Sequence, residues 1–412
     1  MGSGFSRQRR NIVQSMAAAL VAGCAGNRRK SSGPHVVVVG AGIVGASIAY
    51  HLALGGARVS VIDKEGPASH ASRGTFAWIN ATWAKQPRDY HLLSQQGVTG
   101  WHRLESALNI PVRWGGSLEW FDNSERQSKL IKQIDEQVAW GEPARILDAA
   151  ATRALEPTLR FPNDALAAFS PNDGAVDPVL ATEWLLSAAR NMGANTRFPC
   201  ALADVVLSGG RLQAAETSSG RIRADRLVLA TGAAPDIPKK FADIDIPQRS
   251  TPGVIAITQP MPRVMQRIIV APGIHMHQRV DGRVVLGEQD GAPNNAAHAA
   301  RLMDRPRRFP SRTLALAHAA RMLKIGRRYV PPLRDATVDA VHIGWRPLPV
   351  DGHPVVGPSV ARPDVYVAIM HSGVSLAPIV GELVAREIIN NAPTSRLANY
   401  RPSRQFKNYR RY

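Results

Sequence analysis

The sequence predicts an α/β chain of the α+β two-domain kind, with a Rossmann-like domain on a parallel sheet and a second domain on an antiparallel sheet. Three observations predict it. Residues 35–63, HVVVVGAGIVGASIAYHLALGGARVSVID, read as strand, glycine turn, helix and strand. Residues 226–230 (RLVLA), running into Thr231-Gly232-Ala233, read as a buried strand returning to the same sheet. The short runs at 254–258, 268–270, 274–280 and 283–286 have strand pattern, with Asp281-Gly282 as a hairpin turn.

The first stretch has a mechanical logic. His35 to Val39 is a β-branched run that suits a strand buried on both faces. Gly40, Gly42 and Gly45 follow at G-x-G-x-x-G spacing. Gly40 allows a tight turn. Gly42 has no Cβ, so a pyrophosphate can approach the backbone. Gly45 lets helix and strand pack closely. Residues 43–54 are small and apolar without proline, so they form a helix, which Gly55 and Gly56 stop. The first helical turn offers free N–H groups and a positive dipole end to phosphates. Asp63, ending the second strand, sits where an acid hydrogen-bonds ribose hydroxyls. The pattern implies a bound dinucleotide and does not discriminate NAD from FAD.

The 412 residues are enough for two domains, and 44% hydrophobic with 20% charged residues is ordinary globular composition. The formal net charge of +19 is not ordinary. No zinc-ligand spacing or nucleic-acid-binding signature accompanies it, which leaves a solvated basic surface, one that can lie near anionic lipid. No metal and no nucleic-acid partner are expected.

Residues 1–30 contain no acid. Arg7, Arg9 and Arg10 precede a short apolar run at 16–23, too short to span a bilayer but suited to a signal-peptide core. Leu20-Val21-Ala22-Gly23-Cys24 looks like a bacterial lipoprotein cleavage box with Cys24 as the lipidated residue, and the twin arginine resembles a Tat signal. That places the protein on the periplasmic side of a bacterial envelope, held by a lipid anchor. A basic tail with a chance cysteine would instead leave it cytoplasmic.

Further along, 64–80 is rich in Gly, Ala and Ser and suits a second phosphate-facing loop. A helix is expected over 90–106, a strand pair over 110–122 around Gly115-Gly116, and helices over 125–140 and 149–153. Gly174 to Pro178 (GAVDP) opens a helix through 191. Residues 196–206, 212–217 and 221–224 read as hairpin strands, 235–247 as a proline-rich crossover, and 296–323 as a basic helix broken near Pro306 and Pro310. Residues 338–345 read as a strand.

Residues 343–386, IGWRPLPVDGHPVVGPSVARPDVYVAIMHSGVSLAPIVGELVARE, add the most specific signal. Together with VVVVGAGIVG, GAVDP and LVLATGA, the box at Trp345 to Gly357 and the HSGVSLAP stretch resemble the D-amino-acid oxidase superfamily of FAD-dependent oxidoreductases. That group includes glycine oxidase, sarcosine oxidase and the small subunit of D-amino-acid dehydrogenase. The resemblance implies a discontinuous FAD-binding domain (34–93, 170–236 and 337–395) and a substrate domain (94–169 and 237–336). A signal and linker (1–33) and a basic tail (396–412) flank them.

The resemblance implies noncovalent FAD held by Gly40, Gly42, Val44, Gly45, Asp63, Lys64, Ala71, Ser72, Phe76, Ala77, Trp78, Leu202, Gly232, Arg346, Ser372, Gly373, Val374, Ser375 and Leu376. It makes Arg346 the partner of a substrate carboxylate, since guanidinium presents a rigid fork to one. His371 stands about where glycine oxidase has a second arginine, which puts a plain glycine or D-alanine preference in doubt. His275 and His277 share one strand face and, with Trp78, could line the substrate pocket. Two histidines on a wet sheet face is the alternative. The implied reaction is oxidation of the C–N bond of an amino acid or secondary amine by hydride transfer to flavin N5, with oxygen or a membrane carrier as acceptor. A dehydrogenase feeding a respiratory chain and a non-catalytic ligand-binding lipoprotein are the competing readings.

Overall fold

The computed structural model describes residues 33–82, 85–289 and 303–407. The expected leader and Cys24 lie outside them. The described residues form one compact unit. Among the described residues no helix is long and apolar enough to cross a membrane.

A sheet of six strands runs in the order Val355–Pro358, Val365–Ile369, Arg226–Leu229, His35–Val39, Arg58–Ile62, Asn195–Arg197. Its first pair is antiparallel and the rest are parallel. Successive side chains point to opposite faces. Val36 and Val38 join a core shared with the helices Ile43–Leu54 and Gly373–Asn390. Val37 and Val39 join one shared with the antiparallel meander Leu202–Ser208, Arg211–Thr217, Gly220–Arg223. The valine run is therefore buried on both sides, as its composition requires.

The second large sheet has eight strands, ordered Val338–Pro349, Gln248–Thr258, Val284–Glu288, Ile274–Gln278, Ile268–Ala271, Ser117–Glu119, Ala167–Ser170, Arg145–Leu147. Period-2 alternation divides its faces. Met276 and Leu286 pack under the helix Arg312–Tyr329, whose Gly326 leaves room for them. His275, His277 and Gly287 face the opposite way, toward Phe76.

Several elements differ from expectation. The strands Val112–Trp114 and Ser117–Glu119 do not pair with each other. The first joins Gly174–Val176 and the second joins Ile268–Ala271 and Ala167–Ser170. Gly115 and Gly116, both at positive φ, carry the chain between sheets. The 196–206 run is split, because Pro199 has no N–H to give a ladder. Asn195–Arg197 closes the parallel sheet and Leu202–Ser208 starts the meander. Gly174–Val176 is a strand, and the helix begins at Pro178 after Asp177, whose carboxylate accepts from the N–H groups of Val179 (2.9 Å) and Leu180 (3.1 Å). Such a cap contributes about 1 kcal/mol. The proline-rich crossover contains a helix, Asp236–Ala242. The basic helix starts only at Arg312, two residues beyond Pro310, and Ser311 caps it. At the C-terminus, Leu397 and Tyr400 are buried, and Arg401 and Arg404 pair with Glu387 (2.5 Å) and Asp351 (2.8 Å).

Candidate functional site

The glycine turn folds as its spacing requires. Gly40 takes φ +108 and its N–H donates to the Ile62 carbonyl at 2.8 Å. A Cβ at Gly45 would land on the Gly40 carbonyl, so only glycine permits this approach. Asp63 ties the turn to the next loop. Its carboxylate accepts from the N–H groups of Ala41 (2.8 Å), Glu65 (2.8 Å) and Gly66 (3.0 Å). Its carbonyl accepts from Cys200 N–H at 2.6 Å, which brings the chain leading to Leu202 alongside. Lys64 is exposed and Gly232, at φ +58, has open space where a Cβ would point. The helix Ile43–Leu54 begins with neither a side-chain cap from Gly42 nor an acid in its first turn. Its positive end is therefore not neutralised from within the turn. Ser72 Oγ accepts from Ile43 N–H at 3.0 Å and so fixes the 64–80 loop, Ala71 included, over this terminus.

A second helix end is placed beside the first. A Cβ on Gly373 would lie 3.2 Å from Val44 Cγ2, and Ser47 Oγ donates to the Ala377 carbonyl at 2.7 Å. Pro378 inside the helix Gly373–Asn390 has no N–H to give Val374, four residues back. Trp101 Nε1–H donates to that carbonyl instead, at 2.8 Å. Ser372, at φ +59, is the residue before the helix, and His371 Nδ1 lies 3.2 Å from its Oγ. Leu376 is fully buried below. Ala77 also holds positive φ, at +62. Conformations of this kind cost about 1–3 kcal/mol each and persist only where packing enforces them.

The 64–80 loop then crosses the face of the eight-stranded sheet. Gly74 meets Gly344 backbone to backbone, and a Cβ on Gly74 would lie 2.5 Å from Gly344 Cα. Gly344 points toward the loop, so His342 and Arg346, two residues either side on the same strand, share that face. The Arg346 guanidinium lies flat over Gly253 of the neighbouring strand, with Nη2 2.9 Å from the position of a Cβ there, and Nη1 donates to the Pro252 carbonyl at 2.7 Å. Gly287 does the same for His275, whose Cδ2 lies 2.6 Å from a Cβ position. Phe76 sits against both histidines, with ring centroids 4.9 Å from His275 and 4.7 Å from His277.

The histidine face is not wet. His277 is buried, and its Nε2 lies 2.8 Å from the Phe76 carbonyl. A carbonyl only accepts, so Nε2 carries the proton. Burial, and then the charge of Arg279, push His277 down to about 3, so it is neutral and supports the loop. His275 is the half-buried member. Trp78 donates through Nε1–H to Asp173 at 2.9 Å, while its carbonyl accepts from Ser375 Oγ at 3.1 Å and Ser375 Oγ accepts from Asn80 N–H at 3.0 Å.

Sequence reasoning missed the group that holds Trp78. The buried Asp173 carboxylate also accepts from Thr82, from Ser117 Oγ (2.7 Å) and from Ala81 N–H (3.4 Å). Burial raises it to about 6 against these donors. Nearby, buried Lys85 donates to the Asn80 carbonyl and Oδ1, both at 3.0 Å. His342 is lowered by burial and then by Arg73 and Arg279. An acid just before a Gly-Ala-Val strand was the one available signal for Asp173.

The family model of FAD dependent oxidoreductases (DAO) matches residues 35–387. The chain belongs to this family. It is 24% identical over 392 residues to the bifunctional protein ThiO/ThiG of a Nostoc species, covering 90% of this chain and 55% of that one, so it spans about half of that relative. It is 25% identical over 368 residues to one of the subunits of opine oxidase from Agrobacterium tumefaciens, covering 86% and 92%. Its fold is that of glycine oxidase from Geobacillus kaustophilus, with a TM-score of 0.78, 21% identity, and 91% and 100% of the two chains covered. The acid-free first turn at Gly42 and the open space beside Gly232 fit FAD, the family's cofactor.

Proposed function

We propose that this oxidoreductase oxidises the C–N bond of an amino acid or secondary amine whose carboxylate is held by Arg346. The observation that carries the reading is the Arg346 guanidinium laid over Gly253 and anchored to the Pro252 carbonyl, on the sheet face that meets the 64–80 loop. A fork fixed in this way is pre-organised for a carboxylate. The names of two relatives, an opine oxidase and a glycine oxidase, agree with an amino-acid-type substrate.

In this reading Gly42, Val44 and Ser72, at the N-terminus of Ile43–Leu54, would hold the diphosphate of noncovalently bound FAD. Bound FAD supplies the two-electron acceptor for a hydride leaving the substrate carbon. The chain supplies orientation. Arg346 fixes the carboxylate end, and Phe76 with half-buried His275 closes one side. The Gly373–Asn390 helix, entered through His371 and Ser372, presents its positive end at the site. Arg346→Ala and Arg346→Lys test the assignment by anaerobic flavin reduction. Both should keep their flavin, and Arg346→Ala should need far more substrate. An Arg346→Ala protein that reduces its flavin at the wild-type rate removes Arg346 from the substrate site.

A further inference from the structure

We infer that the outward face of the helix Arg312–Tyr329, with the segment that leads into it, docks on an anionic lipid surface. The chain from Arg305 to Arg334 holds nine arginines and lysines and no acid, so thirty residues carry nearly half of the +19 net charge. Five of the nine lie in the helix Arg312–Tyr329 and three in the segment that leads into it.

Part of it is already bonded within the chain. Arg305 donates to the Ala233 carbonyl (2.7 Å), Arg307 pairs with Glu65 (2.5 Å) and Arg321 with Glu288 (2.5 Å). Arg308, Arg312, Lys324 and Arg328 are exposed, with no acidic partner among the described residues. Leu316, Ala320, Lys324 and Arg328 recur at four-residue spacing and follow the exposed side of the helix, while exposed Arg312 belongs to its first turn, beside the segment that leads in.

The apolar residues select the partner. Leu314 is 51% exposed, Leu316 41% and Met303 82%. Aliphatic side chains interleaved with cations suit the headgroup boundary of a bilayer, where the cations meet anionic lipid and the leucines enter the acyl edge. A single-stranded nucleic-acid surface would instead interleave exposed aromatics for stacking, and the exposed large apolar residues here, Met303, Leu314 and Leu316, are aliphatic. The buried side of the helix (Ala319, Met322, Leu323, Gly326) packs on Met276 and Leu286, opposite the face that carries His275, Gly287 and Phe76. Docking through the exposed side therefore leaves the proposed substrate side free.

The test uses the full-length, FAD-loaded chain carrying Cys24→Ser, so no acyl chain contributes. It is sedimented with vesicles of phosphatidylcholine alone or mixed with phosphatidylglycerol. Binding should require phosphatidylglycerol and weaken with salt. Arg308→Gln, Arg312→Gln, Lys324→Gln and Arg328→Gln together should weaken it at least about tenfold, with flavin absorbance and turnover unchanged. Leu314→Ser with Leu316→Ser should lower the binding that survives high salt. Equal binding to both vesicle types, unchanged binding by the fourfold variant, or tighter capture of double-stranded DNA than of phosphatidylglycerol vesicles would overturn the inference.

Discussion

Gly253→Ala is the most informative single perturbation of the substrate site. Gly253 is on an ordinary strand conformation, so alanine adds no backbone strain. Its Cβ would stand 2.9 Å from Arg346 Nη2, 3.2 Å from Cζ and 3.6 Å from Nε. Ordinary contact needs more room, and these atoms are the end of a flexible side chain, so the guanidinium gives way by several tenths of an ångström rather than the sheet. The 2.7 Å bond to the Pro252 carbonyl is strained or lost with it. Losing a charge-assisted hydrogen bond costs about 1.5–3 kcal/mol, and a misplaced positioning group costs on the order of 100-fold in rate. The expected result is a fall of about 10- to 100-fold in kcat/KM for a carboxylate-bearing amine. For an amine lacking the carboxylate, Gly253→Ala should change little. The assay is anaerobic stopped-flow reduction of the bound flavin. Wild-type efficiency on the carboxylate substrate, or equal losses on both substrates, would refute the placement of Arg346.

Asp173 titrates near 6 in the folded chain against 3.8 ordinarily. The folded state keeps its proton between those values, so this group's contribution falls as pH rises through that window, by about 3 kcal/mol, and is level above it. Asp173→Asn should remove that slope in urea midpoints measured across the window. His277 works in the opposite sense, losing stability as pH falls from 6.5 toward about 3, and is common to both proteins. Gly45→Ala drives a Cβ into the Gly40 carbonyl, and the purified protein should lack flavin absorbance while circular dichroism reports the sheets. Gly287→Ala crowds His275 and Phe76 and should change the ranking of amine substrates without changing flavin content. Cys24→Ser should abolish incorporation of radiolabelled palmitate into the protein if residues 7–24 act as the expected leader, and unchanged labelling counts against it.

The nucleotide turn was legible because its constraints are local. A strand, three glycines and a closing acid are adjacent in sequence, and the structure returns them with the same bounds. The strand at Arg226–Leu229 was legible for the same reason, being apolar on both faces. Pairing was harder to read. Val112–Trp114 and Ser117–Glu119 look like a hairpin, yet the positive-φ Gly115 and Gly116 send them to different sheets. The Asp173 cluster was hidden because its donors, Trp78, Thr82 and Ser117, lie tens of residues away and meet only through two sheets. The hollows at Gly253 and Gly287 were hidden too, since a glycine within a strand does not announce which side chain will lie across it.

A flavin reduced by a carboxylate-bearing amine is the central claim. Its most direct test is the visible spectrum of the purified protein under anaerobic titration with D-amino acids, N-alkyl amino acids and amines without a carboxylate. The bound flavin should bleach with members of the first two groups and respond slowly to the third. A protein with no flavin, or one whose flavin bleaches equally well with and without the carboxylate, would contradict the claim.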